Sequence, residues 1–290
     1  MSFSEDELKL SGGVAVITGA GGGIGSGLAR RAGQLGMTVI VADISIEKAE
    51  KVASNILNSD GKAEAIVVDV SQPKELDRLA DYVFGKYGSV RLLVNNAGIE
   101  TLGFCWEVST AQWESTLNVN IHGVIHGVRA FVPRMLAMKE ECWIANLSSS
   151  GAFAVMPTQG AYIMTKHAVQ SFTEGLFLDL KLIGAPIHVS SVIPGLMRTG
   201  IFDATSDPPP TDVGGCQLRA YQQAMAEMAR DCGMDVKQGS EIILKNVAAG
   251  EFWVSTHPET TAKIVGSRIE FLKDQKNPEI MPGSKHLLDY

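Results

Sequence analysis

The sequence predicts an α/β fold in which helices cover both faces of a parallel sheet, a doubly wound arrangement of the Rossmann type. Short β-branched runs alternate with longer helical patterns, several of these runs are apolar throughout, and a glycine-rich stretch follows the first run. Strands without a polar face are typical of parallel sheets that are buried on both sides. Because parallel strands are joined by right-handed crossovers, the intervening helices are expected on both faces of the sheet.

The alternation extends over the first two thirds of the chain. The predicted strands cover residues 14–18, 38–42, 65–70, 92–94, 143–147 and 188–193. The predicted helices cover residues 24–35, 46–58, 73–87, 110–138 and 162–183. Strands that alternate with helices of this length are typical of βαβ units, which indicates one continuous sheet.

The last third of the chain departs from this alternation. Pro208, Pro209 and Pro210 interrupt the segment after residue 200, because proline continues neither a helix nor a central strand. The helical stretch that follows carries one apolar stripe, formed by Leu218, Tyr221, Met225 and Met228. This stripe either lines a substrate site or packs on the domain or on a neighbouring subunit.

Two further elements are predicted near the end of the chain, a strand at residues 252–255 and a helix at residues 261–274, followed by a loop-like tail. No internal repeat or low-complexity tract interrupts the pattern. We therefore expect a single domain over residues 1–290, with a helical substrate-loop insertion at residues 200–235 and a C-terminal extension at residues 258–290.

Composition and charge narrow the class of protein. The chain has 290 residues, of which 45% are hydrophobic and 20% charged, values that are ordinary for a folded protein. A net charge of −7 disfavours binding to nucleic acid or to an anionic membrane. No apolar run reaches membrane-spanning length, and the acidic N-terminus is unlike a secretory signal. We therefore expect a cytoplasmic protein with a small-molecule substrate and neither a nucleic-acid nor a membrane partner.

The cysteines give no indication of a metal site. Four of them are scattered along the chain without CxxC or CxxH spacing, at Cys105, Cys142, Cys216 and Cys232. This spacing disfavours a zinc site, and free thiols in a reducing compartment are expected.

The glycine-rich stretch between the first strand and the first helix predicts a dinucleotide site. It contains the spacing Gly-x-x-x-Gly-x-Gly at Gly19, Gly23 and Gly25. Glycines let the backbone approach a pyrophosphate, and a helix N-terminus offers N–H groups and the positive end of the helix dipole. Such a stretch could be a mere turn, but the strand before it and the helix after it favour a cofactor site.

Asp43 follows the second predicted strand, about 20 residues beyond the glycines, where an acidic residue can bind a ribose hydroxyl pair and repel a 2′-phosphate. No Arg or Lys occurs at residues 20–22 or at Ile44 to bind that phosphate, so NAD is expected rather than NADP. The alternative for Asp43 is a helix N-cap, although Ser45 suits that role. Asp69 ends the third predicted strand and can contact the adenine edge, act as a cap or turn residue, or do both.

Tyr162 and Lys166 are four residues apart in a predicted helix and therefore share a face. A phenol titrates near pH ~10, and an adjacent ammonium or an oxidised nicotinamide ring is expected to lower its pKa. Tyr162 can then exchange a proton with a carbinol oxygen while hydride moves to or from a cofactor. The Tyr-x-x-x-Lys spacing alone is common on helices and needs support from other residues.

Two other positions supply that support. Ser149 follows the strand before Tyr162, where sheets of this kind bind ligands, and its hydroxyl can hold a substrate oxygen. The alternative for Ser149 is a serine-rich turn. Asn120 lies inside the predicted helix at residues 110–138, where Asn is unfavourable, so it predicts a local distortion that frees a carbonyl for water. The alternative for Asn120 is a buried packing residue.

In combination, these motifs resemble those of the short-chain dehydrogenase/reductase family, in its Tyr-x-x-x-Lys branch. The resemblance extends over residues 13–201 in register. Its motifs are Thr18-Gly19-x-x-x-Gly23-x-Gly25, Asp69-Val70, Asn95-Asn96-Ala97-Gly98, Asn120, Ser149, Tyr162 with Lys166, and Pro194-Gly195-x-x-x-Thr199. The resemblance implies a catalytic tetrad made of Asn120, Ser149, Tyr162 and Lys166.

The resemblance also implies a set of cofactor contacts. They fall on Gly19, Gly23, Ile24, Gly25, Asp43, Asp69, Val70, Asn96, Ala97, Tyr162, Lys166 and Thr199. Lys166 would bind the nicotinamide ribose, and Thr199 would contact the carboxamide. A homotetramer or dimer built on two long helices is implied as well. The chain departs from the family at its end, because residues 251–256 are followed by a long tail without the family's glycine-rich turn.

The expected function is therefore that of an NAD(H)-dependent oxidoreductase that interconverts a secondary alcohol and a ketone. The apolar stripe after Thr199 favours a bulky apolar substrate of alicyclic, aryl or steroid-like type. A 3-oxoacyl-thioester reductase is one alternative, disfavoured because Lys139 matches one of the two basic docking positions of such enzymes but Ile183 occupies the other. The remaining alternatives are a noncatalytic dinucleotide-sensing protein and a non-redox enzyme of the same fold.

Overall fold

A seven-stranded, fully parallel sheet with helices on both faces forms the centre of the computed structural model, which describes residues 3–203 and 215–280. The strands are β1 (Val14–Thr18), β2 (Thr38–Asp43), β3 (Lys62–Val67), β4 (Leu92–Asn95), β5 (Cys142–Leu147), β6 (Ile187–Ile193) and β7 (Trp253–Ser255). Their order is β3-β2-β1-β4-β5-β6-β7, which reverses direction between β1 and β4. The predicted doubly wound fold is confirmed.

Ten helices occur in the described part of the chain. They are α1 (Glu5–Leu10), α2 (Gly23–Gln34), α3 (Ile46–Leu57), α4 (Pro73–Tyr87), α5 (Thr110–Leu117), α6 (Gly123–Met138), α7 (Gly160–Leu182), α8 (Gly215–Cys232), α9 (Val236–Ala248) and α10 (Pro258–Lys273). The three prolines before α8, the side chain of Cys216 and the end of the predicted tail lie outside the described residues. No helix in the described ranges is both long and apolar enough to span a bilayer.

The five inner strands, β1, β2, β4, β5 and β6, bury side chains on both of their faces. In β1, Ala15 and Ile17 pack in one core with α2, α3 and α9, whereas Val14 and Val16 pack in the other with α4, α6 and α7. All four are at most 6% exposed. Since successive side chains of a strand point to opposite faces, this double burial explains the apolar runs in the sequence.

The edge strand β3 corrects one predicted boundary, because it covers Lys62–Val67 rather than residues 65–70. It pairs with β2 in a register that places Asp43 opposite Val67. Only one side of an edge strand is paired, so polar residues are tolerated, and Glu64 accepts hydrogen bonds from Lys86 (2.9 Å) and Tyr87 (2.8 Å). Asp69 consequently lies in the turn after the strand.

Two helices were not expected from the sequence, α1 and α9, and both are held by tertiary packing. In α9, Ile243, Leu244 and Val247 are buried in the core beside α2. The polar first turn of α9 masks this apolar face in the sequence. The predicted helix at residues 110–138 is divided into α5 and α6 by a π-helical turn, Asn118–His122.

The apolar stripe of α8 packs on the domain itself. Leu218, Tyr221 and Met225 are buried in a satellite core with Leu102 and Phe202. Of the alternatives that the sequence leaves open for this stripe, packing on the domain is therefore the one observed.

Thr18 ties together the ends of β1 and β4 at the point where the strand order reverses. Its buried hydroxyl donates to Val94 O (3.3 Å) and accepts from the N–H groups of Asn96 (3.0 Å) and Ala97 (3.2 Å). The segments that leave these two strands are thereby fixed relative to each other.

Replacing this hydroxyl by a methyl group is expected to destabilise the fold. Thr18→Val keeps the side-chain shape but leaves two partly buried N–H groups without this acceptor, at a cost of about 1–2 kcal/mol. Urea unfolding of the wild type, Thr18→Val and Thr18→Ser measures the effect. Thr18→Ser keeps the hydroxyl and is expected to lie closer to the wild type; equal unfolding midpoints for the wild type and Thr18→Val would show that the hydroxyl does not secure the strand ends.

Candidate active site

The candidate residues converge at the carboxyl edge of the sheet. The glycine-rich loop follows β1, Asn96 follows β4, Ser149 follows β5, and Pro194 follows β6. In open α/β sheets, ligands bind beyond the carboxyl ends of the strands, near the reversal of strand order. The location of this cluster therefore agrees with the prediction made from the motifs.

Close contacts leave no room for side chains at two positions of the glycine-rich loop. A Cβ on Gly19, which has φ 61°, would lie 2.7 Å from Ala97 Cα. A Cβ on Gly25 would lie 2.3 Å from Gly19 O. By contrast, a Cβ on Gly22, the residue before α2, would have no heavy atom within 4 Å. The loop is thus packed against the protein on one side and open at the start of α2, where a pyrophosphate fits the N-terminus of the helix.

Asp43 is in contact with this loop. Its Oδ2 accepts a hydrogen bond from Gly21 N (2.8 Å), and its Oδ1 accepts one from Ser45 N (3.0 Å). The N-cap of α3 is Ser45, as expected. A carboxylate has about four acceptor positions, so Asp43 keeps capacity for hydroxyl donors beside the loop.

Asn96 and Thr199 complete the surroundings of the loop. Asn96 Nδ2 donates to Thr18 O (2.8 Å) and to Gly19 O (3.0 Å), so this side chain holds the loop in place. Thr199 approaches from the β6 side, with Cγ2 3.5 Å from the position of a Cβ on Gly23. A nicotinamide dinucleotide therefore fits a cradle made of this loop, Asp43 and Thr199.

The remaining predicted cofactor residues lie around this cradle. Asp69 Oδ1 accepts a hydrogen bond from Ser71 N (2.9 Å), so Asp69 acts as a turn residue. The sequence left this role open for Asp69, together with contact to the adenine edge. Val70 is buried against the first residue of α6, where a Cβ on Gly123 would meet its side chain at 2.8 Å. Ile24, in the first turn of α2, packs partly into the core.

Tyr162 and Lys166 lie one turn apart at the start of α7. Lys166 Nζ is 5.4 Å from the centroid of the Tyr162 ring and donates a hydrogen bond to Leu147 O at the end of β5 (2.9 Å). It is also 3.6 Å from the position of a Cβ on Gly98, beyond β4. The ammonium is therefore held between two strand ends and the phenol.

Ser149 faces the phenol from the end of β5. Its Oγ accepts a hydrogen bond from Gly151 N (3.0 Å) at the start of a short 3₁₀ turn, Ser150–Phe153. The same hydroxyl acts on the Tyr162 phenol and lowers its pKa. Ser149 therefore begins a turn and also lies at the candidate active site. The sequence had left these two roles open as alternatives.

The predicted distortion at Asn120 is confirmed, because this residue lies in the π-helical turn. Its buried side chain is also fully engaged. Oδ1 accepts from Ile99 N (2.8 Å), while Nδ2 donates to Ile99 O (2.9 Å) and to Thr165 Oγ1 (3.1 Å). Asn120 therefore links the segment after β4 to α7.

Burial shifts the pKa values of the central pair. It lowers the pKa of Lys166 to about 8, although the nearby Glu100 carboxyl acts in the opposite direction. Burial raises the pKa of Tyr162 above its ordinary value and Glu100 raises it further, while the hydrogen bond with Ser149 lowers it. The expectation of a lowered phenol pKa is therefore wrong for the protein by itself, because burial and the Glu100 carboxyl both raise that pKa.

The sequence motifs do not single out Glu100, the second residue after Gly98. Its side chain is 7% exposed, and burial raises its pKa to about 8. The sequence feature that could have indicated Glu100 is its position, because an acidic residue occurs there shortly after an apolar strand and a glycine motif. Within the described residues, no group of three or more potential metal ligands occurs.

Comparison with known proteins agrees with this geometry. A family model described as short chain dehydrogenase matches residues 13–209. Cyclohexanol dehydrogenase from Acinetobacter sp. (strain SE19) is 32% identical over 195 residues, which are 67% of this chain and 76% of that protein.

Solved structures agree as well. A short-chain dehydrogenase/reductase from Burkholderia phymatum in complex with NAD superposes with a TM-score of 0.87 at 32% identity, covering 93% of this chain and 97% of that one. A metagenomic short-chain oxidoreductase in complex with NADP gives a TM-score of 0.61 at 29% identity, covering 76% and 92%. Structural neighbours therefore bind either dinucleotide. With the sheet topology, the placement of the motifs and the matched family model in agreement, this chain belongs to the short-chain dehydrogenase/reductase family of oxidoreductases.

Proposed function

We propose that this protein is an NAD(H)-dependent oxidoreductase that interconverts a secondary alcohol and a ketone, with Tyr162 as the acid–base residue. The observation that carries the proposal is the convergence of Ser149, Tyr162 and Lys166 at one sheet edge, beside the glycine-rich loop. A protein that only senses a dinucleotide has no need for a buried ammonium directed at a phenol. The intact set of residues thus favours catalysis.

The side chains have distinct tasks in this reaction. Ser149 and Tyr162 hold the substrate oxygen, and Tyr162 takes the hydroxyl proton in oxidation or returns it in reduction. The Lys166 charge and the N-terminal end of α7 both favour the phenolate. The hydride would be accepted or supplied by a nicotinamide dinucleotide held in the cradle of the glycine-rich loop, Asp43 and Thr199. Asn120 keeps α7 in place through Thr165.

Asp43 supports NAD as the preferred cofactor. Its carboxylate touches the loop at Gly21, where the adenosine ribose would approach. A ribose diol donates to such a carboxylate, whereas a 2′-phosphate is repelled by it. Asp43 is thus the feature of this chain that distinguishes the two dinucleotides.

The proposed substrate is uncharged, bulky and apolar. A cavity of about 120 Å³ lies beside the turn that follows Ser149. Apolar side chains of the turn and of α10, including Phe153, Ile264 and Phe271, form much of its wall, and Arg268 and Glu279 also line it. The packed α8 stripe does not contribute to this argument. A 3-oxoacyl-thioester reductase is less well supported, because Ile183 is 63% exposed where a basic docking residue would be needed.

We further propose a homo-oligomer, a tetramer or a dimer, in the cytoplasm. The surface of α7 supports this assembly, because Met164, Leu178 and Leu182 are all exposed. Exposed apolar side chains along one helix are typical of a protein–protein contact.

Removing the Tyr162 hydroxyl is expected to abolish most of the turnover without unfolding the protein. Tyr162→Phe should lower kcat by roughly 10²–10⁴-fold, the usual contribution of general acid–base catalysis. The assay measures NADH formation with cyclohexanol and a panel of alicyclic and aryl secondary alcohols. Tyr82→Phe, at an exposed tyrosine, is the matched control. A Tyr162→Phe enzyme that keeps more than half of the wild-type kcat would remove Tyr162 from the mechanism.

Asp43→Ala is expected to erase the preference for NAD. Charge-assisted hydrogen bonds contribute roughly 1.5–3 kcal/mol, about ten- to hundredfold in affinity, so kcat/KM with NAD should fall by that factor. Loss of the negative charge should raise kcat/KM with NADP. Asp179→Ala, at an exposed position on α7, serves as the control. Equal use of NAD and NADP by the wild type would contradict the role of Asp43.

A series of ketones of increasing apolar size tests the substrate class. Each buried methylene contributes about 0.8 kcal/mol, so kcat/KM should rise several-fold per added carbon until the site is full. Keto acids of matched size are expected to be poor substrates. Phe153→Ala should flatten the rise by removing apolar surface beside the turn. A preference for small or anionic ketones that Phe153→Ala leaves unchanged is incompatible with an apolar site.

A further inference from the structure

Glu100 is a buried acid at the edge of the proposed active site. Its side chain is 7% exposed, and its Oε1 accepts no hydrogen bond from any described residue. A buried carboxylate is unfavourable unless it is paired and hydrogen-bonded. Because buried polar groups are normally hydrogen-bonded, a buried carboxyl group with an unpaired oxygen is expected to have a functional role.

The main chain is fixed on both sides of Glu100. Ile99 exchanges two hydrogen bonds with the Asn120 side chain, of 2.8 Å and 2.9 Å. On the other side, the hydroxyls of Thr101 and Thr116 are 2.6 Å apart. Since both neighbours are held, the direction in which the Glu100 side chain leaves the main chain is fixed.

The ionisable groups that act on Glu100 come from α7. Burial raises the pKa of Glu100 to about 8, against a backbone hydrogen bond at Thr101 and the Lys166 ammonium, which lower it. The Glu100 carboxylate in turn raises the pKa of Lys166 and of Tyr162.

Among the residues that the structure describes, Lys166 is the charged group that acts on Glu100. The chain neighbours of Glu100, Thr101 and Ile99, are contacted by Thr116 of α5 and by Asn120 of the π-helical turn, which are uncharged. Lys166 Nζ lies 3.6 Å from the position of a Cβ on Gly98, two residues before Glu100, and 5.4 Å from the centroid of the Tyr162 ring. Glu100, Lys166 and Tyr162 thus form a group of three ionisable side chains, of which Glu100 and Lys166 are buried and Tyr162 is half-buried.

We propose that Glu100 is a positioning residue that keeps Lys166 charged and sets the pH range in which Tyr162 reacts. This inference rests on the proposed dehydrogenase function and adds a third ionisable group to it. As the pH rises, Glu100 loses its proton to solvent, and its negative charge retains the ammonium that burial alone would neutralise. The same charge opposes the phenolate, so Tyr162 ionises at higher pH than beside a neutral side chain.

The pH profile of kcat for alcohol oxidation tests the proposal. Glu100→Gln removes the charge and keeps the size of the side chain. Without the carboxylate, Tyr162 should act as a base at lower pH, and Lys166 should lose its proton at lower pH. Both limbs of the profile are therefore expected to move to lower pH, by about one unit, the interaction at which neighbouring groups titrate as a coupled set. Glu100→Asp keeps the charge and should keep the limbs near those of the wild type.

A purely structural role for Glu100 gives a different result. In that case Glu100→Gln lowers kcat or the melting temperature while both limbs stay in place, and the proposal is overturned. If Glu100→Gln does not fold, the infrared comparison of the wild type with Lys166→Met below decides the matter, because it does not require that variant.

Infrared titration of the protein without substrate reads the protonation of Glu100 directly. Ordinary carboxyl groups are ionised at pH 7, so a protonated-carboxyl band at that pH should belong to Glu100 and be absent in Glu100→Gln. The band is expected to disappear near pH 8 in the wild type and at higher pH in Lys166→Met, because the stabilising ammonium is gone.

The spectroscopic result is independent of turnover. An enzyme that oxidises no alcohol in the panel, yet shows the band and its shift, would contradict the proposed dehydrogenase function while supporting the coupling of Glu100 to Lys166. An active dehydrogenase without the band at pH 7, or with a band that Lys166→Met does not move, would overturn the inference about Glu100 alone.

Discussion

The arrangement of the site depends on the Asn120 side chain, a buried amide that joins the segment after β4 to α7. An amide buried in this way must satisfy both its acceptor and its donors, and here Ile99 and Thr165 do so. In a regular α-helix the side chain would leave the chain at a different angle, and the π-helical turn accommodates the difference. The distortion is therefore maintained by hydrogen bonds that simultaneously fix the approach of α7, which carries Tyr162 and Lys166.

Once α7 is fixed, burial sets the chemistry of the groups that it brings together. Desolvation disfavours the charged form of the Lys166 ammonium, of the Tyr162 phenol and of the Glu100 carboxyl alike. Opposite charges favour one another in this region, whereas Glu100 and the phenolate repel. The protonation of the three side chains is consequently coupled, and no single pKa describes the site. A cationic nicotinamide ring would add a charge that favours the phenolate, in opposition to Glu100.

The sequence predicts the parts of this structure that depend on local spacing and fails for those that depend on tertiary partners. The sheet and the positions of Ser149, Tyr162 and Lys166 follow from motifs whose spacing is fixed by strand ends and helical turns. The start of β3 does not, because its polar residues are accepted only at the edge of the sheet. Neither α9, whose apolar face is defined by α2, nor the burial of Glu100 is visible without the three-dimensional packing.

The chain departs from the family pattern after β7, and the residues of this departing segment contact both the proposed cofactor side and the proposed substrate side of the site. Thr256 Oγ1 accepts a hydrogen bond from Gly195 N (3.0 Å), and a Cβ on Gly195 would lie 2.5 Å from His257 Nδ1. These residues follow β7 where the family has a glycine-rich turn, and they hold the segment that leads from β6 to Thr199. Directly after His257, α10 begins and contributes Ile264 and Phe271 to the cavity beside the turn after Ser149. One continuous stretch of chain therefore supports the proposed cofactor side and forms part of the proposed substrate side, which couples the shape of the apolar site to the position of Thr199.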